Sequence, residues 1–149
     1  MKRTMIVAGT ILLGAGAVMA QQEIAVQQDN LMRGIAKNQY GIIQKMTKGD
    51  IPFDKKAADQ AIASIEADVA KIAKTFEVNP KQDVVDATYG ASQKVWQNKA
   101  DFDSKIPPVQ KAIADVKGKI KDVASLKAAY TAINDRCSDC HETYRVKLK

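Results

Sequence analysis

Residues 122–148 read DVASLKAAYTAINDRCSDCHETYRVKL. Leu126, Ala129, Tyr130, Ile133, Cys137, Cys140, His141, Tyr144 and Leu148 recur at helical spacing. The pattern predicts one amphipathic helix with these residues on its inner face. Asp122 is placed to cap it, because its carboxylate can accept from the free amides of the first turn. The chain has two cysteines and one histidine, and all three fall between Cys137 and His141. C-x-x-C-H is the attachment signature of a c-type haem. In a helix the three side chains project from one face. Cys137 and Cys140 would add across the haem vinyl groups as thioethers, and the His141 imidazole would bind the iron as proximal ligand. The expected cofactor is therefore one covalently attached haem c, on the inner face of the last helix.

Three other chemistries fit less well. A C-x-x-C redox pair belongs near a mixed strand and helix pattern, and the pattern here is helical throughout. A closed structural zinc site needs a fourth ligand, and no other Cys or His exists. A disulfide between Cys137 and Cys140 would leave His141 on the core side unexplained.

Working outward, three more helical patterns precede this one, and no convincing strand appears. The first runs from about Gln22 to Lys48, with Leu31, Met32, Ile35, Ile42, Ile43 and Met46 on its apolar face. Gly49 suits a left-handed helix end, and Pro52 prevents continuation. The second follows an Asp54 cap and carries Ala58, Ala61, Ile62, Ile65, Val69, Ile72, Ala73 and Phe76 as one stripe. Asn79-Pro80 ends it. Residues 77–91 read as a connection with one helical turn, because Val84-Val85 has no partner run. The third starts near Ser92 and runs through Val95, Trp96, Phe102, Ile106, Val109, Ile113, Val116 and Ile120. Pro107 and Pro108 each lack an amide hydrogen, so a kink or break is expected at 105–108. Gly118 loosens its end. Four such helices with short connections predict an all-α, antiparallel up-down-up-down four-helix bundle with covalently bound haem.

Residues 1–20 are set apart as a cleaved signal peptide, and residues 21–149 as the single bundle domain. Lys2 and Arg3 make a basic start, Met5 to Ala17 is apolar, and Val18-Met19-Ala20 offers a small-residue cleavage pattern. The apolar run is shorter than the ~20 residues a membrane span needs. No stable membrane association is expected after cleavage, and the predicted location is the periplasm. That compartment agrees with haem attachment outside the cytoplasm. Losing Lys2 and Arg3 lowers the formal charge from +6 to +4. The lysines are interleaved with Asp and Glu, and aromatic residues are few, which argues for solvated helix faces and against nucleic acid. No nucleophile–base pair, metal cluster or phosphate loop is present, so an enzyme is not expected.

The sixth iron position decides between functions. Met1, Met5 and Met19 leave with the signal, so Met32 and Met46 are the candidate distal ligands. Met32 lies about a third of the way along the first helix, and His141 about two thirds of the way along the last. In adjacent antiparallel helices these heights match. Met46 would sit near the opposite end and reads as a core methionine. Core packing is also the competing reading for Met32.

The chain resembles the class II c-type cytochromes, the cytochrome c′ family, over essentially all of residues 21–149. The resemblance rests on Cys137-Ser138-Asp139-Cys140-His141-Glu142-Thr143-Tyr144-Arg145 near the C-terminus. It also rests on Trp96 with Phe102, and on Lys48-Gly49-Asp50-Ile51-Pro52-Phe53-Asp54. Leu31-Met32 is most like the low-spin cytochrome c-556 branch, in which such a methionine is the sixth ligand. The high-spin branch leaves that site open, binds nitric oxide or carbon monoxide, and often has an arginine where this chain has Gln28. Arg145 matches a basic residue that the high-spin family places near the proximal histidine. The resemblance implies a periplasmic monohaem electron carrier, with iron bound by His141 and Met32, that serves periplasmic redox partner proteins. The alternative is a five-coordinate, gas-binding haem protein in which Met32 only lines the pocket. Trp96, Tyr130 and Phe102 are expected around the macrocycle, with ordinary core packing an equal or better reading for each, and a homodimer stays open.

Overall fold

Ala, Gln and Leu are frequent in residues 12–38, and no proline interrupts them. The computed structural model describes residues 12–148. Its first helix, α1, runs Leu12–Asn38. It therefore starts ten residues before Gln22 and passes through the expected cleavage point. The basic start of the expected leader lies outside the described residues. A π-helical turn, Gln39–Gln44, follows directly, and α2 (Lys45–Lys48) ends at Gly49 with φ +80°. That left-handed conformation favours glycine.

Asp54 caps α3 (Lys55–Val69) by accepting from the Ala57 amide at 3.1 Å. Replacing Asp54 with alanine is expected to cost about 1 kcal/mol, read as a lower denaturant midpoint at unchanged slope. The second rod turns at Ala70-Lys71 before α4 (Ile72–Thr75). That offset leaves Ala73 exposed, contrary to the predicted stripe, while Phe76 is buried.

The third rod is three pieces: α5 (Lys94–Gln97), α6 (Lys99–Ser104) and α7 (Ile106–Val116). The break expected at the prolines falls at Lys105. Pro107 and Pro108 lie in the first turn of α7, where a missing amide hydrogen costs no intrahelical bond. A second break, at Asn98, was not legible. Rod three ends at Val116, and Gly118, at φ +75°, reverses the chain. Ile120 is buried in the connection rather than on a helix. Helix α8 (Val123–Tyr144) opens with a capping box. Asp122 accepts from the Ser125 amide, and Ser125 Oγ accepts from the Asp122 amide.

Helix α8 stops at Tyr144 rather than at Leu148. Arg145–Lys147 form a strand, β2, paired antiparallel with β1 (Tyr89–Ala91) in the register Tyr89↔Lys147, Gly90↔Val146, Ala91↔Arg145. The expectation of no strand is corrected here. The expected helical turn in 77–91 is also absent, replaced by turns at Lys81 and Asp86 with positive φ. The ladder is three residues long and mostly exposed. Backbone pairing carries it, and no alternating apolar pattern marks it.

The rods pack in sequence order. Helix α1 meets α3, α3 meets α7, α7 meets α8, and α8 closes the ring on the π turn and α2. This is an all-α, antiparallel four-helix bundle. Its main core joins Ile43, Ile62, Ile65, Ile113, Leu126 and Ile133. A second cluster, Phe76, Val95, Phe102 and Tyr144, fills the other end. Met32 packs against both. Among the described residues, no helix is long and apolar enough to cross a membrane.

Candidate haem-binding site

Between the two core clusters lies a cavity of about 430 Å³. Helix α8 contributes Cys137, Cys140, His141 and Tyr144 to its wall, α1 contributes Gln28, Met32 and Ile35, and the π turn contributes Gln39. Phe76, Trp96 and Phe102 close the end, and the strap of residues 82–91 covers one side. The helical spacing read from the sequence has brought the two thiols and the imidazole into one wall. Met32, over a hundred residues away in sequence, lines the same cavity. Met46 does not; it is 3% exposed in the main core, as its apolar phase implied.

No disulfide joins Cys137 and Cys140. Burial pushes the Cys137 thiol up to about 11, and Cys140 beside it adds to the shift. Burial likewise pushes Cys140 up to about 11 against the pull of Lys105. Neither is an activated thiolate, which agrees with rejecting a redox pair. Burial lowers the His141 pKa below its ordinary value, and the Arg145 guanidinium lowers it further. The imidazole is thus held neutral, the form that binds a metal. His141 makes no side-chain hydrogen bond among the described residues, so both ring nitrogens are uncommitted.

The aromatic end is fixed by polar bonds at its rim. Trp96 Nε1 donates to the Phe76 carbonyl at 3.0 Å. Tyr144 is T-stacked on Phe102 with centroids 5.2 Å apart, and its hydroxyl donates to Asp101 Oδ2. That bond holds the Tyr144 phenol at about 12. Tyr144 sits one turn after His141, so the last turn of α8 is tied to α6. Phe76, Tyr144 and the strap were not assigned to the cavity from the sequence. Tyr144 was legible only as a member of the inner stripe. For Tyr130 the core-packing alternative holds. It packs on the main core, away from the cavity, and its hydroxyl accepts from Gln44 Nε2 at 2.5 Å. Arg145 lies over the Tyr89 ring, 4.6 Å from its centroid, at the mouth of the cavity.

The wall fits a haem. It is largely apolar, carries two thiols one helical turn apart, and presents a neutral imidazole beside them. No other metal arrangement competes: among the described residues no three His, Cys, Asp or Glu side chains gather as a metal site.

Known proteins resemble this chain in sequence and fold. The family described as Cytochrome C' matches residues 22–145. Cytochrome c-555 of Bradyrhizobium diazoefficiens is 83% identical over 149 residues, covering all of both chains. An NMR-validated structure of oxidised Rhodopseudomonas palustris cytochrome c556 superposes with a TM-score of 0.71 at 32% identity, over 86% of this chain and 99% of that one. Cytochrome c′ from Rhodopseudomonas palustris superposes with a TM-score of 0.73 at 28% identity, over 85% of this chain and 98% of that one.

Proposed function

The chain belongs to the class II c-type cytochromes, the cytochrome c′/c-556 superfamily, and from that premise we propose that it is a periplasmic electron carrier with iron held between His141 and Met32. It carries one covalently attached c-type haem, as the family and the cysteine spacing require. The family's members are electron-carrying haemoproteins and not catalytic enzymes, and they are generally periplasmic. In the proposed form the leader is removed before Gln21, and residues 21–149 exchange electrons with periplasmic redox proteins.

When bound, the haem supplies an iron that cycles between ferric and ferrous. Cys137 and Cys140 anchor one edge through thioethers. His141 offers its neutral ring nitrogen from α8. Met32 offers a soft thioether from α1, which favours the ferrous state and raises the potential. Phe76, Trp96, Phe102 and Tyr144 exclude water and lower the local dielectric, which tunes the potential further. Held by His141 and Met32, the group would pass electrons without binding substrate. The observation that carries this reading is the placement of Met32 in the cavity wall shared with His141.

The comparisons lean toward a second reading. The matching family is described as Cytochrome C', and the solved cytochrome c′ has the higher TM-score of the two. In that reading Met32 only lines the distal side, and the open position takes nitric oxide or carbon monoxide. Ferric and ferrous spectra of the purified protein separate the two. A ferric thioether-to-iron charge-transfer band, with no ready reaction of the ferrous form with carbon monoxide, is expected of the carrier. A high-spin ferrous spectrum that shifts on adding carbon monoxide would sink it.

A further inference from the structure

Among the described residues, two polar side chains are buried: Gln28, 4% exposed, and Gln39, 2% exposed. A buried polar residue carries more information than a buried apolar one. Both lie on the first rod, and both line the cavity. They flank Met32, four residues before it and seven after, so all three share one helix face.

Their hydrogen bonds run to different neighbours. Gln28 Nε2 donates to the Thr75 carbonyl at 3.1 Å and to the Val78 carbonyl at 3.0 Å. Those carbonyls close the end of α4, where a helix leaves acceptors unsatisfied. Gln39 Nε2 reaches the Tyr130 carbonyl on α8 at 3.5 Å, and its Oε1 has no partner among the described residues. Gln39 also opens the π-helical turn. Such turns often mark functional sites. Apolar contacts in a core of isoleucine and leucine are non-directional, so they hold a rod weakly along and about its own axis. Hydrogen bonds are directional. The two glutamines thus tie the first rod to the second and the fourth, on either side of Met32. Burying an amide in this core carries a desolvation cost that an apolar side chain would not, so stability alone does not account for Gln39.

We propose that Gln28 and Gln39 are positioning residues that fix the height and rotation of α1, so that the Met32 sulfur faces His141 across the cavity. This rests on the reading of Met32 as the sixth ligand. The test uses the haem-loaded full chain with Gln28→Leu and Gln39→Leu. Met32→Leu reports on the ligand itself, and Asp54→Ala serves as a variant weakened far from the cavity. Three readouts are taken: the ferric thioether-to-iron band, the ferrous carbon monoxide association rate, and the denaturant midpoint.

Both glutamine variants are expected to lose part of the band and to bind carbon monoxide about tenfold faster. Gln39→Leu should do so at an unchanged or raised midpoint, because an apolar side chain replaces a buried amide. A merely structural residue would not separate these readouts. If both variants keep the full band and the original rate while Met32→Leu loses the band, the positioning role is overturned and the ligand stands. If Met32→Leu leaves the band intact, the ligand reading fails and takes the positioning role with it. If Asp54→Ala dims the band as much as the glutamine variants do, general loosening explains the effect and the proposal is overturned.

Discussion

Replacing Met32 with alanine is expected to turn a six-coordinate, low-spin protein into a high-spin one that takes up carbon monoxide. The cavity wall dictates the size of the effect. Met32 sits at the seam between the two core clusters, and the other methionine expected to remain after leader removal, Met46, is sealed in the main core. No substitute thioether can reach the iron. The alanine variant should lose the ferric charge-transfer band and gain a ferrous spectrum that shifts with gas. Its potential should fall by on the order of 0.1 V, a modest part of the ~0.8 V range that axial ligands span. Stability should fall too, because a partly buried side chain is truncated. Large-to-small core changes cost about 2–5 kcal/mol when fully buried, so a loss at the low end is expected. A spectrum that stays low-spin and unreactive to gas would remove Met32 from the ligand set.

What made Met32 findable was the pairing of heights in adjacent antiparallel rods. That inference needed only helix lengths and short connections, both written in the apolar spacing. The caps at Asp54 and Asp122 and the left-handed Gly49 were equally legible, because each depends on a local backbone need. The break near the prolines was legible for the same reason. The features that escaped are non-local or exposed. The strand pair joins residues over fifty positions apart through backbone bonds, and its side chains carry no alternating pattern. The buried run Ile35, Gln39, Ile43 and Met46 keeps spacings of four, four and three through the π turn, so the turn leaves no trace in the periodicity. Gln28 was read only as the absence of an arginine. Its actual partners, the carbonyls of Thr75 and Val78, become neighbours only once α1 and α4 are packed. Tyr130 shares the inner stripe with His141, yet it lies eleven residues away, about 16 Å along a helix. The stripe fixed its face and said nothing of its distance from the cavity.

The second large effect concerns the thioethers. Replacing both Cys137 and Cys140 with serine is expected to abolish covalent attachment, so that denatured protein releases all its haem. The fold should suffer as well. The cavity of about 430 Å³ is lined largely by apolar side chains, and without its occupant that surface meets water, which is unfavourable. The haem-free chain is therefore expected to loosen there, with the walls drawing inward. The aromatic end has least to hold it, because the strap of residues 82–91 is attached to the bundle chiefly through a three-residue ladder. The main core around Ile62, Ile65, Ile113 and Ile133 needs no haem contact to stay packed. The expected product is a chain with most of its helix content but loosened tertiary order. It should retain far-UV dichroism, lose near-UV dichroism around Trp96, and bind an apolar dye. Haem added to the serine variant should restore part of that order through His141 and Met32, by mass action on the folded state. A haem-free variant with undiminished near-UV dichroism and a sharp, cooperative melt would show that the bundle closes without its cofactor. The cavity would then be a site preformed by the chain alone.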